Sequence, residues 1–165
     1  MNYFEELQQT LSRLDPAPLL AFVQACQGTL WLAGNGGSAS TAQHWACDLS
    51  KRVGRRAVAL GSNPAALTAW ANDKSYISAL GHEFASVARQ GDALICLSCS
   101  GTSPNILTVI ERARDSGVPI ALVTGRHPPA SPVDVAINVP HHHFGIIEDC
   151  HLAIGHYLTE ALCSR

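Results

Sequence analysis

Nowhere does this 165-residue sequence approach the ~20 consecutive apolar residues of a membrane-spanning helix, so no membrane partner is expected. Its opening, MNYFEELQQTLSRL, carries acids where a secretory signal carries lysines and an apolar run, and a cytoplasmic protein is expected. A basic stripe is missing as well. Eleven Lys and Arg residues against 13 Asp and Glu give a net charge of −2 spread along the chain, which excludes a nucleic-acid face and a polybasic membrane signal. The partners to expect are small molecules and other proteins. Six cysteines are present (Cys26, Cys47, Cys96, Cys99, Cys150 and Cys163), but a second CxxC pair is not. Cys96 and Cys99 form a lone CLSC in and just after an apolar run, so buried reduced thiols are expected rather than a redox couple or half a zinc site. Internal repeats and linkers are also absent, apart from the proline-rich loop RHPPASP.

What is present suffices for one substantial core. A hydrophobic content of 47% over 165 residues excludes disorder and fits a single domain spanning residues 1–165. Helical patterns cover residues 3–14 and 17–26, broken by the prolines of DPAP. The apolar runs TLWLAG, RAVAL, DALICLS, PIALVTG and VDVAINVP read as five strands. Helices are expected between them over 37–51, 65–71, 75–89 and 103–116, the last capped by Ser103, with a closing helix over 146–163. Continuous apolar strands alternating with helices predict an α/β fold, a doubly wound five-stranded parallel sheet with helices on both faces. Ligands of such sheets bind beyond the carboxyl ends of the strands.

Two strand ends carry unusual loops. GNGGSAS follows the first strand and SCSGTSPN the third, each running into a helix start whose free N–H groups and dipole attract an anion. The hydroxyls of Ser38, Ser98, Ser100, Thr102 and Ser103 add neutral donors, and the pair of loops points to a phosphate. Tight strand-to-helix turns without a ligand are the plain alternative. GNGGSA also satisfies a relaxed dinucleotide fingerprint, but the second strand ends ALGSNP without the acid that would hold a ribose. No GK[ST] follows the glycines, so a nucleotide P-loop is excluded.

Histidines paired with carboxylates are the second signal. His44 and Asp48, four apart on the helix after the first loop, share a face. The closing helix offers Glu148, Asp149, His151 and His156, and mixed N/O sets of this kind suit zinc, although a lone helix histidine is commonly structural. On an ideal helix Glu148 and His156 diverge by about 80°, which favours Asp149 as the partner of His156. His141 to His143 read as a solvated turn, with a loop metal site as the alternative. Asn72 and Asp73 form either a cap and turn or a group able to reach a polyol hydroxyl.

AGNGGSASTAQHWACDL, ANDKSY, LSCSGTSPNIL and IEDCHLAIGHYL, in that order, resemble the sugar isomerase (SIS) domain family, and within it the sedoheptulose 7-phosphate isomerases, or phosphoheptose isomerases. The resemblance covers nearly the whole chain. It implies an aldose–ketose isomerase that converts sedoheptulose 7-phosphate to a D-glycero-heptose 7-phosphate through an enediol. It also implies a sugar-phosphate site built from Asn35, Gly36, Gly37, Ser38, Asp73, Ser98, Cys99, Ser100, Ser103 and Glu148. One zinc ion per subunit would be held by His44, Asp48, Glu148 and His156, which replaces the helix-face preference for Asp149. Asp48 would be the catalytic base and His156 the acid, with Asn35 and Asp73 orienting the sugar. A homotetramer is implied, with residues 1–27 in its contacts and active sites shared between subunits.

Three positions depart from the usual family pattern: Asp48 where Glu is common, Glu148 where Gln is common, and Cys99 where Thr is common. Two further readings share the scaffold, a non-catalytic regulatory or replication-initiation partner and an isomerase of another sugar phosphate. Both histidines and both acids weigh against the first.

Overall fold

Five short apolar runs become strands: β1 (Leu30–Ala33), β2 (Ala57–Ala59), β3 (Ala93–Ser98), β4 (Ile120–Thr124) and β5 (Val135–Asn138). In the computed structural model, which describes residues 2–163, they pair in parallel in the order β2-β1-β3-β4-β5. Met1, Ser164 and Arg165 of the expected 1–165 domain lie outside the described residues. Every residue of β3 and β4 is buried, which is why these strands read as continuous apolar runs rather than as alternating ones. The edge strands β2 and β5 each expose residues.

Among the described residues seven helices surround the sheet: α1 (Tyr3–Leu11), α2 (Ala17–Ala25), α3 (Gly37–Lys51), α4 (Pro64–Asp73), α5 (Tyr76–Val87), α6 (Pro104–Asp115) and α7 (Phe144–Cys163). Successive strand residues point to opposite faces, and two cores result. Ile95, Leu97, Ala121 and Val123 pack with Leu19 and Val23 of α2, Trp45 and Leu49 of α3, and Ile154 and Leu158 of α7. Leu94, Cys96, Ile120 and Leu122 pack with Leu80 and Phe84 of α5 and Ile106, Val109 and Ile110 of α6. The doubly wound α/β architecture is the one expected from the sequence.

Element ends differ from the periodicity. α1 stops at Leu11, because the chain tightens through Arg13 N–H to Thr10 and Leu14 N–H to Leu11 before Asp15 and Pro16. α7 starts at Phe144, two residues early, since Ile147 N–H reaches the His143 carbonyl and closes the first turn. All six cysteines are free thiols, and Cys96 is fully buried in β3. Among the described residues no helix is long and apolar enough to cross a membrane.

Candidate active site

The chain leaves β1 for β2 on one side and returns to β3 on the other, so the strand order reverses between β1 and β3. Loops diverge at such a reversal and open a crevice at the carboxyl ends of the strands. The two glycine-serine loops occupy that crevice. Gly36 makes the turn into α3 with φ 52° and ψ −123°, a conformation open to glycine and closed to residues with a Cβ. α1, α4 and α5 begin under side-chain caps from Asn2, Asn63 and Ser75. α3 and α6, the helices that follow the two loops, have no side-chain cap, and neither has α2, which opens on prolines. Uncapped first turns leave backbone donors for an incoming anion.

Between the loops lies a cavity of about 270 Å³ lined by Asn35, Ser38, Leu97, Ser98, Cys99, Ser100, Ser103, Phe144 and Glu148. Its hydroxyls are partly committed. Ser98 Oγ accepts from Gly101 N–H at 3.2 Å, Ser100 Oγ accepts from Thr102 N–H at 3.2 Å, and Ser38 Oγ lies 3.7 Å from Cys99 Sγ. Ser103 is the N-cap residue of α6 as expected, but its hydroxyl faces Ser100 Oγ at 3.3 Å instead of capping the helix. Burial is the main cause that pushes the Cys99 thiol above its ordinary pKa, so it stays protonated beside Ser38.

Sequence reasoning missed the groups that hold Asn35. Its amide pairs with that of buried Asn105, donating at 2.8 Å and accepting at 2.7 Å, while the Tyr76 hydroxyl donates to the same Oδ1 at 3.0 Å. SPN and KSY lie within the stretches that resemble the SIS family, but nothing local shows that they meet. Arg126 was also missed. Its N–H donates to the Cys99 carbonyl at 2.9 Å, and its guanidinium lies 4.8 Å from the centre of the Phe144 ring at the cavity wall.

The second cluster forms where α3 crosses α7. Gly155 leaves room for the buried indole of Trp45, which a Cβ there would strike, and Trp45 Nε1–H donates to the His151 carbonyl at 3.1 Å. That close approach brings the neighbouring His44 and His156 together at the half-exposed edge of the contact. Their Nε2 atoms are 3.3 Å apart, and Asp48 Oδ2 lies 3.4 Å from His44 Nε2 and 4.0 Å from His156 Nε2. Ligands ~2.0–2.1 Å from a tetrahedral zinc ion stand about 3.3–3.4 Å from one another, so two edges of this triangle already fit and the third needs a small adjustment. Two imidazoles and one carboxylate suit zinc chemically and leave a fourth position for a substrate oxygen. Among the described residues His44, Asp48 and His156 are the one group so arranged.

Five other candidate residues stand elsewhere. Glu148 is outside the triangle, with its carboxylate against Gly37. The helix-face preference for Asp149 does not hold, because its Oδ2 accepts from the Tyr3 hydroxyl at 2.7 Å and ties α7 to α1. Asp73 ends α4 exposed, with the Asn72 amide donating to it at 3.1 Å, and does not line the cavity. His141 faces Glu6 at 3.4 Å and His143 lies edge-on to Tyr3, which supports the turn reading of this histidine run.

A neutral-donor anion cradle and a cation-ready triangle are united by α3, which begins at the first and carries two corners of the second. Together they can hold a phosphorylated ligand at one end and polarise or deprotonate it at the other. Comparisons with known proteins agree. Residues 2–125 match the SIS domain family. The phosphoheptose isomerase of Chlorobaculum parvum is 36% identical over 97% of this chain and 84% of its own length, and that of Rhodospirillum rubrum is 38% identical over 83% and 79%. The phosphoheptose isomerase structure from Neisseria gonorrhoeae superposes with a TM-score of 0.89 at 28% identity, covering 99% of this chain and 96% of that one. On fold, motif order and kinship, the chain belongs to the SIS domain family and, within it, to the phosphoheptose isomerases.

Proposed function

We propose that this chain, an aldose–ketose isomerase by kinship, interconverts sedoheptulose 7-phosphate and a D-glycero-heptose 7-phosphate with the help of one zinc ion per subunit. The observation that carries the reading is the pairing of the serine-lined cavity with the His44, Asp48 and His156 triangle. The phosphate seats between the uncapped starts of α3 and α6, where Ser38, Ser98, Ser100 and Ser103, with the backbone amides of Gly36, Gly37 and Cys99, donate to its oxygens. Asn35, held by Asn105 and Tyr76, orients the sugar.

Moving a proton between carbons 1 and 2 needs a base at carbon and an acid at oxygen. Asp48, the least exposed corner of the triangle, takes the proton from one carbon and returns it to the other, while His156, through the ring nitrogen not turned into the triangle, gives a proton to the carbonyl oxygen and recovers one from the neighbouring hydroxyl. When bound, zinc would supply Lewis-acid polarisation to the reacting end of the sugar. His44, Asp48 and His156 would hold it and leave the fourth position to the sugar.

The test is turnover of sedoheptulose 7-phosphate by the purified chain, beside other sugar phosphates and unphosphorylated sedoheptulose, with bound metal measured in the same preparation. Turnover of the heptulose phosphate above the rest, with about one zinc per chain, is expected. Ser100→Ala and Ser38→Ala should each weaken substrate binding roughly 5- to 150-fold, the loss of one donor to a dianion. Equal handling of phosphorylated and unphosphorylated sugar would overturn the phosphate reading. Bound zinc without isomerisation would return the chain to the non-catalytic binding class.

A further inference from the structure

The cavity between the serine loops holds an anion of the chain's own. Glu148, in the first two turns of α7, lies so close to the start of α3 that a Cβ on Gly37 would overlap its carboxyl group. It lines the same cavity as Ser38, Ser98, Ser100 and Ser103. Its charge is also among the causes, after burial, that raise the pKa of the Cys99 thiol across that cavity. A carboxylate is favoured there for the reason a phosphate is, since the first turn of α3 is uncapped and carries the positive end of its dipole. Gly37 provides the space, and any larger residue would push the carboxylate out.

We infer that Glu148 is a built-in competitor for the phosphate seat: in the free protein its carboxylate occupies the start of α3 between the serine loops, and it must withdraw before a phosphorylated ligand can bind. The inference rests on the phosphate reading of this cavity. It assigns the acid a role in selecting and gating the ligand, distinct from metal ligation. Two anions side by side repel strongly in a partly desolvated cavity, so the free protein binds a bare phosphate weakly. Part of the affinity for a sugar phosphate must then come from the sugar.

Calorimetric titration of inorganic phosphate into the full chain as purified tests this, comparing wild type with Glu148→Gln, which keeps the shape and removes the charge. Asp149→Asn removes a charge of the same sign one residue away, on the side tied to Tyr3, and reports the general effect of net charge. Glu148→Gln should bind phosphate at least roughly 10-fold more tightly than wild type, and Asp149→Asn should change binding by less than about 2-fold. Equal or weaker binding by Glu148→Gln, or an equal gain in Asp149→Asn, overturns the inference while leaving the phosphate site in place. Absence of phosphate binding in wild type and in Glu148→Gln overturns both. Circular dichroism and thermal melting of the variants confirm that the comparison is between folded proteins.

Discussion

Asp48 carries two demands at once, since the same carboxylate closes the triangle with His44 and His156 and is the group assigned to the proton. Its side chain is one methylene shorter than the common family residue, a difference in reach of about 1.5 Å. Asp48→Asn keeps the volume and removes the base, so turnover should fall by at least ~100-fold in a steady-state assay. Asp48→Glu separates two cases: retained or higher turnover means the pocket accepts the longer reach, and a fall means it has adapted to Asp. His44→Ala should lose most of the bound zinc by elemental analysis while the far-UV spectrum stays unchanged. A different histidine governs acid stability. His151 is fully buried, its Nε2 lies 3.2 Å from the Thr124 carbonyl, and its Nδ1 has no partner among the described residues. Burial pushes its pKa down to about 4. In the unfolded chain it protonates near 6.5, so between pH 6.5 and 4 the unfolded state binds more protons and stability falls as pH falls, by about 3 kcal/mol across the window. Urea denaturation at pH 7 and pH 4.5 should show this loss, and His151→Gln should flatten it.

At the scale of elements, the contact between α3 and α7 does most to build the site. Trp45 lies on Gly155, and each is followed or preceded in sequence by a triangle histidine, so helix separation and metal geometry are one variable. Gly155→Ala puts a methyl group into the indole. The helices must part, costing about 1–3 kcal/mol of stability, and zinc affinity should drop roughly 10- to 100-fold, as it does when the groups that position ligands are lost. Denaturation and a zinc competition titration measure the two effects. Unchanged zinc affinity in a destabilised protein would show that the histidines are positioned independently of this contact. The loop into α3 makes a second demand. Gly36→Ala forces a side chain into a positive-φ conformation, with a strain of about 1–3 kcal/mol.

For the whole molecule, the surface sets the expectation. Phe4 is 78% exposed, Tyr76 56%, Ile77 54% and Phe144 51%, and Phe144 borders the serine-lined cavity. Large exposed side chains of this kind gather at subunit contacts. The family resemblance implies a homotetramer, and these exposed side chains suit α1 and the cavity rim to its contacts. Light scattering at micromolar concentration checks it, and a monomer there would rule the assembly out. Phe4→Glu should shift the assembly toward smaller species, because a charge buried in an apolar contact is left unpaired.

The five strands, the order of the helices and the two anion-attracting loops were legible in the sequence because each is set by neighbours a few residues apart. Apolar runs make buried strands, and glycine and serine before a helix make a turn with free donors. His44 and Asp48 were legible as a pair for the same reason, four residues on one helix. Their meeting with His156 was not, because it depends on Trp45 fitting against Gly155 from 110 residues away. Helix-wheel geometry pointed to Asp149, and the hydroxyl of Tyr3, from the far end of the chain, turned that side chain to α1. The seat of Glu148 against Gly37 and the amide pair of Asn35 and Asn105 likewise join distant segments. Backbone conformation is chosen locally, but the direction in which a polar side chain points is chosen by whatever partner packing brings within hydrogen-bonding reach.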